Sequence, residues 1–164
     1  MNRDLDEVVS ELARLGGSSS FDVADTHSRW GVYLSALGSP DRSELLREAV
    51  KLESDHALAL SIVLRLLDEI PVDDRDDWVS QLRTDKDREY AARRKDELAI
   101  LERARRQDTS LDWVESEGDG WSDWLQVRLA EFATDRRILK WLVERGRTKR
   151  IRRIAEGRLR DWVA

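Results

Sequence analysis

The chain reads as an all-α protein, and three observations predict it. Apolar residues recur at i, i+3 and i+4 through nearly the whole length, the spacing of one helix face. Only two prolines and eight glycines punctuate 164 residues, too few for the many tight turns of a strand-rich fold. Charged residues make up 38%, well above the roughly 25% usual in soluble domains, which suits helices with long solvated faces. With 40% hydrophobic residues the chain can still enclose a core, and its length fits one domain. We expect a single domain of stacked antiparallel helices over 1–164. Its sub-units would be a bundle over 1–107 and a tryptophan-rich, basic segment over 108–164.

The first helix covers 3–15, with Leu5, Val8, Val9, Leu12 and Leu15 on one stripe. Gly16, Gly17, Ser18, Ser19 and Ser20 stop it and read as a flexible joint. A second helix over 22–37 ends at Gly38-Ser39-Pro40. A third follows over 40–52, where Ser39 suits the cap and Pro40 the first turn. The fourth, over 54–70, is apolar nearly all round, so we expect it surrounded by other helices at the centre of the core. Pro71 closes it. The fifth, over 73–82, opens with Asp73, Asp74, Asp76 and Asp77, acids that suit the positive end of a helix dipole.

A sixth helix over 85–107 is separate from the fifth or continuous with it. Glu89/Arg93 and Glu102/Arg106 stand four apart, acid first, as on an exposed helix. Its apolar content (Tyr90, Leu98, Ile100, Leu101) is thin, so most of its girth is expected to be wet. A short helix covers 110–116, and Glu117-Gly118-Asp119-Gly120 forms a loop. Three helices over 122–133, 135–145 and 148–162 complete the chain. Thr134 and Thr148 are read as N-caps and Gly146 as a C-cap.

Arg128-Leu129-Ala130-Glu131 returns 25 positions later as Arg153-Ile154-Ala155-Glu156, with Leu139, Trp141, Leu142 and Val143 between. Residues 122–160 therefore resemble the helical pairs of HEAT-type or leucine-rich-variant α-solenoids. Asp55-His56-Ala57-Leu58-Ala59-Leu60 looks similar to a tetratricopeptide helix turn. The resemblance implies a solenoid-like, HEAT-like C-terminal half and a scaffold that presents its surface to a partner.

Charge is segregated. Residues 1–80 hold 17 acids and 8 bases, net −9; residues 81–135 hold 14 and 10, net −4; residues 136–164 hold 3 and 11, net +8. The last helix gathers Ile151, Ile154, Ala155, Leu159 and Trp162 on one side and Lys149, Arg153 and Arg160 on the other, flanked by Arg150 and Arg152. Such a face suits phosphates of a nucleic acid, helped by Arg136, Arg137, Arg145 and Arg147. The plainer readings are a solvated face or one docked on the protein's own acidic half; a third is a contact for an acidic protein. Arg158 falls on the apolar side and is expected to snorkel past Trp162, to enter a buried pair with a carboxylate, or to meet an anionic ligand.

Seven tryptophans are many for this length. Trp124, Trp141 and Trp162 align with apolar stripes and read as core. Trp113 and Trp121 flank the Gly118–Gly120 loop and are expected to be partly exposed, as candidates for a contact surface. The loop's alternating acids look like a calcium loop, but Glu115 would stand first and Gln126 twelfth, where a bidentate carboxylate is needed. We read an ordinary turn.

Cysteine is absent, which removes disulfides, thiolate metal sites and cysteine nucleophiles. No HExxH, P-loop, GxGxxG or nucleophile elbow occurs. The two histidines, His27 and His56, stand near acids and are the last candidates for catalysis; helix-start positions explain them equally well. No apolar run is long enough to cross a bilayer, and the N-terminus lacks a signal-peptide core, so a cytoplasmic protein is expected. Arginine outnumbers lysine 24 to 5, which points to a GC-rich bacterial genome.

The expected function is a non-catalytic interaction module: an adaptor, regulatory or inhibitor-like protein. It would bind another protein through Trp113 and Trp121 or through the Asp73, Asp74, Asp76, Asp77 face. The alternative is a nucleic-acid-associated protein using Lys149, Arg150, Arg152, Arg153 and Arg160. A third reading is an enzyme with its site near His27 or His56. No cofactor, metal or membrane partner is expected, and a homo-oligomer is left open.

Overall fold

The computed structural model describes residues 3–18 and 20–162; Ser19, in the expected joint, lies outside them. Among the described residues the chain is all-α, with ten α-helices, two 3-10 turns and no strand. No described helix is long and apolar enough to cross a membrane. The chain divides into two compact units, Met1–Lys95 and Asp96–Ala164, and the division falls inside one long helix.

The first unit holds α1 (Leu5–Leu15), α2 (Thr26–Ala36), α3 (Pro40–Leu52), α4 (His56–Glu69), a 3-10 turn (Val72–Asp74), α5 (Arg75–Ser80) and the start of α6 (Asp85–Arg105). Helix α1 packs on α2 and α3, α2 on α3 and α4, α3 on α4, and α4 on α5. Val8, Val9, Leu12, Leu46, Val50, Ile62, Val63 and Leu67 close the core. Each side chain buried this fully stabilises the fold by about 1.5–3 kcal/mol. Helix α4 buries Leu58, Ala59, Ile62, Val63, Leu66 and Leu67, but Ala57, Ser61, Arg65 and Asp68 stay exposed. It is a core helix with one wet stripe rather than one enclosed all round.

Caps explain where these helices start. The carboxylates of Asp4, Asp25 and Asp55 accept the backbone N–H groups of Glu7, Ser28 and Leu58 at 2.8–3.0 Å. Ser39 does not cap α3: its hydroxyl accepts from Arg42 Nε at 3.1 Å instead, and Pro40 starts the helix. Helices α5 and α6 are separate, and the Thr84 hydroxyl accepts the Asp87 N–H as α6 begins.

A buried polar node ties α2, α3 and α4 together. The Glu53 carboxylate, fully buried at the end of α3, accepts from Arg29 Nε at 2.9 Å and Nη2 at 3.2 Å. It also accepts from Tyr33 Oη at 2.8 Å and from the Asp55 N–H at 2.9 Å. Burial pushes the Tyr33 phenol well above its usual range, and its bond to Glu53 adds to this. Burial alone would lower Arg29, but its bonds to Glu53 outweigh that and hold its pKa above the ordinary value.

The second unit holds the end of α6, α7 (Leu111–Glu117), a 3-10 turn (Gly118–Gly120), α8 (Asp123–Phe132), α9 (Arg136–Arg145) and α10 (Lys149–Asp161). Helices α8, α9 and α10 pack on one another, and α7 packs on α9. Of the repeated tetrapeptides, Leu129, Ala130 and Ala155 are buried and Ile154 half-buried. Ser122 and Thr148 cap α8 and α10. Asp135 rather than Thr134 caps α9, its carboxylate taking the Arg137 N–H at 2.9 Å. Asp135 also accepts from the Thr109 hydroxyl, which brings the end of α6 to the start of α9.

Two expectations about side chains are corrected here. Trp162 is 46% exposed rather than core, because α10 ends at Asp161. Arg158 makes no carboxylate pair among the described residues: its guanidinium donates to the Glu131 and Ala133 carbonyls and satisfies the end of α8. The acidic-glycine segment is the end of α7 followed by a 3-10 turn. Gln126 is buried, donating to the Trp121 carbonyl at 3.2 Å and accepting the Arg147 N–H at 2.9 Å.

Candidate functional site

Pro71 ends α4, and the 3-10 turn carries the chain round so that α5 lies against α4. This leaves a groove of about 270 Å³ floored by Ala36, Leu46, Leu66, Ile70 and Trp78. Arg47 crosses it from α3. Its guanidinium stands 5.1 Å from the centre of the Trp78 ring and 3.9 Å from Asp77. Arg47 Nε is enclosed and has no hydrogen-bond acceptor. The rim is acidic. Asp73, Asp74, Asp76 and Asp77 are all exposed, and Asp74 lines the groove itself. Asp76 pairs with Lys95 at 2.5 Å, while Asp73 and Asp74 have no cation within reach among the described residues.

The four aspartates were legible as acids at a helix start. Asp73 and Asp74 instead occupy the 3-10 turn, and Asp76 and Asp77 the first turn of α5. The floor and Arg47 were missed. No local signal marks them, since they converge from four elements.

The cations of α10 divide into two sets. Lys149, Arg150, Arg153 and Arg160 are exposed, with no ion-pair partner among the described residues. Arg152 is half-buried and donates to the Gly146 carbonyl, so it serves the α9–α10 turn rather than the surface. Of the flanking arginines, Arg137 pairs with Asp135 at 3.0 Å, Arg145 with Asp119 at 3.2 Å and Arg147 with Asp123 at 3.4 Å. The helix ends on Arg160, Asp161 and Trp162, all exposed.

Of the two tryptophans expected to be partly exposed, Trp121 is not. Trp121 is 2% exposed, wedged between Trp113 at 5.8 Å and Trp141 at 5.2 Å between ring centres. Trp113 is half-buried beneath the Arg103 guanidinium, 4.4 Å from its ring. The exposed aromatic of α8 is Phe132, 5.7 Å from the guanidinium of Arg128.

His27 and His56 are both exposed. His27 lies in an open groove of about 500 Å³ with Asp25, Trp30, Asp55 and Ser61. Both carboxylates there already cap their own helices. Asp25 is held below the usual carboxylate range by the Ser28 hydroxyl and N–H. Among the described residues, no group of three or more histidine or acidic side chains is placed to hold a metal ion. No family model, curated protein or solved structure matches the chain.

Proposed function

We propose that the protein is a non-catalytic interaction module that takes a basic, apolar segment of a protein partner into the groove over Trp78. The observation that carries this reading is the conjunction at that groove. An apolar floor lies beside two unpaired aspartates and the part-exposed guanidinium of Arg47. A segment offering an apolar side chain, a carbonyl or carboxylate oxygen, and one or two cations meets all three demands. Buried apolar anchors within a charged rim are the usual seat of binding energy, and the rim charges steer encounter.

Affinity capture from cells that make the protein, run beside an Asp73→Lys/Asp74→Lys variant, tests it. A partner held by the unaltered protein and released by the variant is expected. The same proteins held by both would refute the reading.

A second reading is favoured by the unpaired cations of α10. Lys149, Arg150, Arg153 and Arg160 would bind nucleic-acid phosphates in a salt-dependent way. Glutamate at positions 149, 153 and 160 would then abolish binding to DNA or RNA. No binding by the unaltered protein at about 50 mM salt ends that reading.

A further inference from the structure

We infer that the groove over Trp78 receives the end of α10 from a second copy of this chain. The inference rests on the groove reading above and names its occupant. Three features of the groove ask for complements, and three consecutive exposed residues supply them. The floor of Leu46, Leu66, Ile70 and Trp78 takes the indole of Trp162, which is 46% exposed. The Arg47 guanidinium, whose side chain is 29% exposed, takes a carboxylate oxygen of Asp161 or a free carbonyl of the last turn of α10. Asp73 and Asp74, without cations, face Arg160 and then Arg153 about two turns back along the helix.

The larger pattern agrees. Residues 1–80 carry net −9 and residues 136–164 net +8, while the chain as a whole is only −5. A charge split of this kind favours association of unlike ends of two molecules and opposes contact of like ends. The two surfaces differ, so the contact is heterologous: each copy offers one groove and one helix end.

Sedimentation velocity over about 1 to 100 µM protein, at about 50 mM and about 0.5 M salt, reads the outcome. For the unaltered chain, mass should rise with concentration and fall at high salt. Trp162→Ala should weaken association at least about tenfold. Asp73→Lys/Asp74→Lys and Arg153→Glu/Arg160→Glu should each be monomeric with an unchanged helical circular-dichroism signal, since all four positions are exposed. Mixed together, they should associate again, because one retains an intact α10 and the other an intact groove.

A monomer at every concentration, an oligomer indifferent to these substitutions, or no complex in the mixture would overturn the inference. If the chain stays monomeric while the capture experiment yields an aspartate-dependent partner, the occupant is wrong and the groove reading stands. If both fail, the groove reading falls as well.

Discussion

Gly118 stands where the second unit has no room. A Cβ added there would lie 2.4 Å from Trp141 Cζ2, so the ring packed edge-on against Trp121 would have to shift. Gly118→Ala should destabilise the protein by about 1–3 kcal/mol, read from the urea midpoint; an unchanged midpoint would contradict the packing. Asp135 gives a pH signature. Burial alone would raise its pKa, but the bonds from Arg137 and Thr109 outweigh this and hold it below the ordinary value. Its stabilisation is therefore present above about pH 4 and lost as pH falls through the folded value. Asp135→Asn should lower stability at neutral pH and flatten the acid limb of a stability–pH curve; an unaltered limb would refute the assignment. Neither residue was readable beforehand. A glycine in an acidic run looks like a turn, and Trp141 is distant in sequence. Glu53 was hidden for the same reason, because its partners Arg29 and Tyr33 belong to another helix.

At the scale of elements, apolar spacing placed every helix, because burying one stripe imposes the 3.6-residue period on the sequence. Ends were harder to place. Thr134 and Asp135 are adjacent residues of cap-forming type, and which one caps depends on the turn from α8, which also gives Asp135 its bond from Thr109. Ser39 has the identity of a cap without the geometry. The contrast is measurable. Thr148→Ala removes the bond to the Ile151 N–H and should cost about 1 kcal/mol. Ser39→Ala removes no cap and should stay within about 0.5 kcal/mol. Equal losses in thermal unfolding would contradict the assigned caps.

At the scale of the molecule, composition and charge sorted the chain into acidic and basic ends before any fold was known. The groove itself was illegible. Its acids announce themselves, whereas Ala36, Leu46, Ile70 and Trp78 look like four unrelated core residues until Pro71 and the 3-10 turn bring α5 back against α4. The expectation for Trp121 failed in the opposite direction. Aromatics beside a polar loop look exposed, yet Trp121 is enclosed by rings from both sides in sequence.

The most direct measurement follows the Trp78 indole N–H signal of the nitrogen-15-labelled protein, assigned with Trp78→Phe. A short helical peptide of lysine, leucine and tryptophan is titrated in, beside a counterpart with glutamate for lysine. The basic peptide should move the Trp78 signal, and Asp73→Lys/Asp74→Lys should abolish the response. Equal response to both peptides, or a Trp78 signal that never moves, would contradict the groove as the binding surface.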